Sequence, residues 1–146
     1  MADQTDFDLD DFLPYLLNQA AEAAGESFAQ VYKARFGIGR TEWRVLAHLG
    51  QSGTLTATTI AERAMLHRAK ISRAVFALEQ KGWLDRERDA DDRRVEHLSL
   101  TRDGRDAYAE LCKDATAHQR TLTNRLGKNR TRALAEALDM LRSPIT

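Results

Sequence analysis

Apolar residues recur at three- and four-residue steps over most of the chain, and the breaks between runs fall at glycines and small polar residues. Leu13, Leu16, Leu17, Ala20, Ala24, Phe28, Val31 and Tyr32 form one stripe. It predicts a helix from about Leu9 to Arg35, with Asp10 or Asp11 as cap and Pro14 in the first turn. Gly37 and Gly39 end it. Thr41 is placed to cap a second helix through Leu49, with Trp43, Leu46 and Leu49 inward and Gly50 and Gly53 closing it. Leu55 reads as a very short strand. Thr56 caps a third helix to about Ala64, with Ile60 and Ala61 inward. After a break at Met65 to His67, a fourth helix runs to about Lys81, and Gly82 stands where a helix end wants a left-handed residue.

Two strands, Trp83 to Arg88 and Arg94 to Leu100, flank the polar loop Asp89-Ala90-Asp91-Asp92-Arg93. Thr101 caps a long fifth helix to about Arg125, with Tyr108, Leu111, Ala115 and Leu122 inward. Gly127 breaks it. Asn129 or Thr131 starts a sixth helix carrying Ala133, Leu134, Ala137, Leu138 and Leu141, which Pro144 stops. The order is α-α-β-α-α-β-β-α-α, a mainly α winged helix-turn-helix. The apolar stripes left over on the long flanking helices, Leu122, Leu126, Leu134, Leu138 and Leu141 among them, predict a second copy of the chain as their cover.

The fourth helix carries the candidate chemistry. At helical spacing Ile71, Val75 and Leu78 face the core, and Arg73 points almost directly away. Ala69, Ala77 and Gln80 lie beside Arg73, with Lys70 and Ser72 at the flanks and Arg68 in the first turn. A helix of this length spans about 22 Å and fits a major groove about 12 Å wide. Arginine can donate two parallel hydrogen bonds to guanine, whereas lysine and serine more often hold phosphates. Phe76 lies off the core side, placed either to touch a thymine methyl or to pack beneath the wing, and packing is the commoner fate of a lone aromatic. In the loop, three aspartates stand beside arginines. Either this is a solvated charged turn, or one aspartate fixes the direction of an arginine that enters the minor groove.

Composition narrows the reading. The 146 residues suit one domain, and 42% apolar content supports a core. Lysine plus arginine equals aspartate plus glutamate at 22 each, so net charge argues for no partner. Its distribution is more telling: five aspartates lie in the first eleven residues, and no acid lies between Ala64 and Leu78, where Arg68, Lys70, Arg73 and His67 cluster, a pattern that fits either a nucleic-acid contact or a solvated basic helix face. The single cysteine, Cys112, excludes an internal disulfide and a cysteine zinc finger, and its place at the edge of an apolar stripe predicts an inert thiol. No signal segment or membrane-length run is expected, which places the protein in the cytoplasm. His48, His67, His97 and His118 lie in separate elements without metal spacing. With no nucleophile motif or phosphate loop either, no cofactor, metal or enzymatic role is expected.

The run AERAMLHRAKISRAVFALEQKGWLDRERDADDRR at 61–94, followed by LSLTRDG at 98–104, resembles the multiple antibiotic resistance regulator (MarR) family, and TEWRVL at 41–46 is similar to its second helix. The resemblance extends over essentially the whole chain, with the D-x-x-D-R-R element before L-T-x-x-G its most specific part. It implies an obligate homodimer built by the first, fifth and sixth helices (1–36 and 101–146), and a DNA-binding lobe at 41–100. It also implies a fourth helix in the major groove of duplex DNA and a wing arginine in the minor groove. Carried over, Arg68, Lys70, Ser72 and Arg73 face the groove, and Asp92 buttresses Arg94. Ala90 stands where a proline is common in the family, which implies a looser tip, and His67 replaces a more usual cap. The family's hydroperoxide sensors carry a cysteine in the first helix, and this chain has none there.

Many family members bind small aromatic or phenolic ligands between the two lobes. Here Arg44 and His48, one turn apart, with Tyr32, Trp43 and Tyr108, are candidates to line such a site. Each also has a plainer role: Trp43 and Tyr108 as core, Arg44 as partner of a carboxylate. The sequence thus reads as a regulator, expected to repress from a pseudo-palindromic operator. The rival is a helical protein-interaction module whose basic face meets an acidic partner.

Overall fold

The computed structural model describes residues 5–144. Asp3 of the acidic segment, and the outer ends of the expected 1–36 and 101–146 units, lie outside the described residues. Among the described residues, six α-helices and a three-stranded antiparallel sheet follow in the expected order. The first helix is interrupted where continuity was expected. Leu9–Asp11 form a single 3-10 turn capped by Asp8, Phe12 is extended, and α1 runs Leu13–Phe36. Proline is the reason: its ring clashes with the carbonyl four residues back, so a helix containing Pro14 must begin just before it. Gly37, at φ 65°, ends α1.

Helix α2, Arg40–Ser52, starts one residue before the expected Thr41 cap. Gly39 holds the cap position, and the Glu42 carboxylate accepts the Gly39 N–H at 2.6 Å. Gly50 does not close this helix. It lies inside it against the Tyr108 ring, where a Cβ would collide. Strand β1 is Leu55–Thr56, and Thr56 Oγ1 caps α3, Ala57–Ala64, by accepting the Thr59 N–H at 3.2 Å. Met65 turns the chain in a left-handed conformation, and α4 runs Arg68–Gln80 from an N-cap His67 whose side chain makes no capping bond.

Strands β2, Leu84–Arg88, and β3, Glu96–Leu100, are shorter than the pattern suggested and pair in the order β1-β3-β2, with Leu84 opposite Leu100 and Glu87 opposite His97. Helix α5, Arg102–Leu126, is capped by Thr101, whose hydroxyl accepts the Gly104 N–H at 3.1 Å. Helix α6, Lys128–Arg142, starts directly after Gly127 rather than at Asn129 or Thr131.

One apolar core runs through α2, α3, α4 and the sheet and reaches α1 and α5. Val45, Leu46, Ile60, Ile71, Leu78, Leu98 and Leu111 are its most buried members. Helix α6 contributes nothing to it, and no residue of α6 is buried. Among the described residues, the large exposed apolar side chains other than Met65 and Phe76 lie between Phe7 and Leu17 or on α6. Ion pairs from Arg35 to Asp114 and Glu110 hold α1 to α5. Among the described residues no helix is long and apolar enough to cross a membrane.

Candidate nucleic-acid interface

Helix α4 divides as its periodicity predicts. Ile71, Ala74, Val75 and Leu78 are buried, while Arg68, Ala69, Lys70, Ser72, Arg73 and Phe76 are exposed. Lys70 and Arg73 line a shallow groove shared with the start of α2. Arg68 and Ser72 turn toward the wing. Arg68 is less free than its first-turn position suggested, because its Nη1 donates to Thr58 Oγ1 at 2.6 Å and ties α4 to the start of α3. Phe76 does not pack beneath the wing. It is 56% exposed, on the same side as Ser72 and Arg73. An apolar ring left open on a basic face stands out more than any scattered surface leucine.

The wing is joined to this helix by Arg86, which pairs with Glu79 of α4 at 3.1 Å and Glu96 of β3 at 3.2 Å. At the tip, Arg94 is the most open cation of the loop's ion pairs, its side chain 91% exposed. Asp92 nonetheless holds it. The Asp92 carboxylate accepts the Arg94 backbone N–H at 3.0 Å and Nε at 3.2 Å. The arginine contact and that backbone bond keep the Asp92 carboxyl below its ordinary range, against partial desolvation and the repulsion of Asp89. Asp89 orders the turn in which proline is absent, its Oδ2 accepting the N–H groups of Asp91 and Asp92. A groove of about 400 Å³ lies between helix and wing, lined by Thr58, Arg68, Ser72, Arg86, Arg94 and Glu96 among others. Arg68, Ser72 and Arg94, named from sequence, share it. Arg86 was not singled out, since only the folded hairpin brings it to Glu79.

The candidate ligand residues separate. Tyr32, Trp43 and Arg44 line one small cleft of about 140 Å³ with Glu22, Phe28 and Arg40. Tyr32 stacks on Trp43 at 6.1 Å, Phe28 meets both rings edge-on, and His118 stacks on Phe28 at 5.5 Å. Arg44 has no carboxylate partner among the described residues. Arg40, one turn earlier on the same helix, pairs with Glu22 at 2.7 Å instead. His48 lies outside that lining. Burial, and then the charges of Arg63 and Arg44, lower its pKa and favour the neutral ring. Tyr108 does not join them. It lies over Gly50 in a separate cleft with Leu49, Leu100 and Arg105, its hydroxyl held by Gln51 at 2.5 Å. Cys112 is half-buried one turn beyond it.

Comparison with known proteins supplies the family. The family model of MarR matches residues 38–95. The homoprotocatechuate degradative operon repressor of Escherichia coli is 30% identical over 98 residues, covering 67% of this chain and 66% of that one. A MarR family transcriptional regulator of Silicibacter pomeroyi is 30% identical in its crystal structure, with a TM-score of 0.76 over 91% of this chain and 99% of its own. The structure of NadR in complex with 4-hydroxyphenylacetate is 25% identical, with a TM-score of 0.77 and 97% of each chain covered. A winged helix with an exposed basic face, an aspartate-held arginine at the wing tip and these likenesses carry one conclusion: the chain belongs to the MarR family of transcriptional regulators.

Proposed function

We propose that this protein is a homodimeric repressor that binds a pseudo-palindromic operator and is released by a small aromatic or phenolic acid. One observation supports this above the rest: a single groove brings Arg68 and Ser72 of α4 beside Arg94 of the wing. In this reading α4 lies in the major groove with Arg73 on base edges, Lys70 and Ser72 on phosphates, and Arg68 positioned by Thr58. Arg94, directed by Asp92, enters the minor groove, where narrow A·T stretches concentrate negative potential.

Residues 1–36 and 101–146 build the dimer and 41–100 read the DNA. The apolar side chains at Leu13, Leu16, Leu17, Leu134, Leu138 and Leu141 are exposed in one chain and need a cover. A two-fold partner supplies it and sets two recognition helices about 34 Å apart, one turn of DNA. Fluorescence anisotropy tests the whole reading. The parent should bind a selected palindromic duplex far more tightly than scrambled DNA, with affinity falling steeply as salt rises. Equal, weak binding to both duplexes contradicts it and favours the protein-interaction rival.

The effector site is the cleft of Tyr32, Trp43 and Arg44, with His48 one turn further along α2. A bound carboxylate would meet Arg44, which has no carboxylate partner among the described residues, while Glu22 in the same cleft is paired with Arg40. Trp43 and Tyr32 offer a ring face. Phenolic acids are the class suggested by the two relatives whose names carry 4-hydroxyphenylacetate and homoprotocatechuate. By linkage, an acid that loosens DNA must bind the free protein more tightly than the complex. Calorimetry giving equal affinity for both forms would remove this effector mechanism.

A further inference from the structure

The wing tip is the end of a hydrogen-bond chain that begins on the central strand. His97 lies in β3, opposite Thr56 of β1 on one side and Glu87 of β2 on the other, so its backbone is fixed from both edges. Leu98 and Leu100 turn inward, and by strand alternation His97 turns to the other face. There its Nε2 meets Asp89 Oδ1 at 2.9 Å. An ionised carboxylate can only accept, so Nε2 carries the proton and donates, which either the Nε2–H tautomer or the imidazolium allows. With Oδ1 so engaged, Oδ2 is turned to the loop and accepts the N–H groups of Asp91 at 3.1 Å and Asp92 at 3.0 Å. Asp92 then holds Arg94 through its backbone N–H, Nε and Nη2. Backbone bonds from Asp89 N–H to Val95 O and from Val95 N–H to Asp92 O close the loop around this path.

We infer that His97 is a positioning residue for DNA recognition: acting through Asp89, it sets the loop conformation in which Asp92 aims Arg94. The inference rests on the reading of Arg94 as the wing's DNA contact. Without His97, Asp89 keeps its two loop N–H groups but loses the bond that fixes the carboxylate's rotation, so the loop gains conformers in which Asp92 is turned away. Arg94 must then be ordered when DNA binds. The His97 bond is also the largest influence lowering the Asp89 pKa, so the ionised acceptor the path needs is favoured by His97 itself. Because the His97 side chain is about 39% exposed, its replacement opens no core cavity.

The test compares the parent with His97→Leu, His97→Gln, Arg94→Ala and the double variant His97→Leu with Arg94→Ala. The DNA probe is a duplex selected from random sequence, prepared with A·T-rich and with G·C-rich flanks. Ordering one side chain at binding costs about 0.5–1.5 kcal/mol, or about two- to twelvefold in Kd. His97→Leu is expected to lose that factor for each wing on the A·T-flanked duplex and nothing further once Arg94 is already alanine. His97→Gln, which retains an N–H donor, is expected to recover most of it. In the free protein, the Arg94 Nε–Hε NMR signal is expected to lose its distinct shift in His97→Leu and keep it in His97→Gln. An unchanged Nε–Hε signal in His97→Leu overturns the positioning role, as does an equal loss of binding in the presence and absence of Arg94. If the NMR change occurs but Arg94→Ala binds both duplexes like the parent, the wing-contact reading fails and the inference falls as an account of DNA recognition.

Discussion

Asp92 Oδ1 accepts two hydrogen bonds from one residue, the backbone N–H of Arg94 at 3.0 Å and its Nε at 3.2 Å, although the Arg94 side chain is almost fully open to solvent. Surface ion pairs of this kind contribute little to stability. Their consequence here is direction. Simple electrostatics says that Asp92→Ala, by removing a negative charge near phosphate, should tighten DNA binding. The geometry says the opposite, because a freed guanidinium is ordered only on binding. Asp92→Ala is expected to weaken operator binding by about 0.5–1.5 kcal/mol per wing at fixed salt. Tighter binding than the parent would reduce the wing to a solvated turn.

Arg73 and Lys70 are expected to differ in kind. Arg73→Ala should cost about 1–3 kcal/mol per half-site and relax preference at one or two base positions. Lys70→Ala should weaken all sequences alike and lower the salt slope by about one for each phosphate left without its lysine. Titrations against a panel of single-base operator variants at two salt concentrations separate these outcomes. If Arg73→Ala keeps the parent's full sequence preference, it is not the base reader.

Phe76 is expected to touch a thymine methyl. Replacing one thymine at a time by deoxyuridine removes only that methyl, worth about 0.8 kcal/mol when buried, or roughly fourfold in Kd. The parent should show such a loss at one or two positions in each half-site, and Phe76→Ala should show none there. A variant that retains the parent's pattern of sensitivity rules the contact out.

Much of this architecture was legible in short-range pattern. The three- and four-residue spacing placed Ile71, Val75 and Leu78 in the core, and the Thr56 and Thr101 caps need only an N–H three residues on. What escaped the sequence depends on distant parts of the chain. Gly50 reads as a helix stop but exists to admit the Tyr108 ring. Arg86 and His97 gain partners only when the hairpin closes. Arg40 and Arg44 are equivalent by spacing, and the approach of Glu22 on α1 decides which is paired. Phe76 followed the common behaviour of aromatics in expectation and departed from it in the structure.

The glycine of L-T-x-x-G has a similar physical reason. Gly104 lies in the first turn of α5, where a Cβ would run into the Trp83 carbonyl oxygen, a backbone atom that the Thr101 N–H fixes at 3.0 Å. Gly104→Ala is expected to destabilise the fold by about 1–3 kcal/mol, because backbone cannot swing aside as a side chain can. Denaturant unfolding measures this, and a midpoint equal to the parent's would show that the helix start shifts freely.

That the wing and α4 of two copies read one duplex together can be tested by selecting binding sites from random-sequence DNA with the full-length protein. The expected result is enrichment of a pseudo-palindrome whose half-sites are centred about one helical turn apart, roughly 10 base pairs, bound by a species of twice the chain mass in light scattering. No enriched sequence, or an enriched single half-site bound by a monomer, would contradict cooperation between two copies.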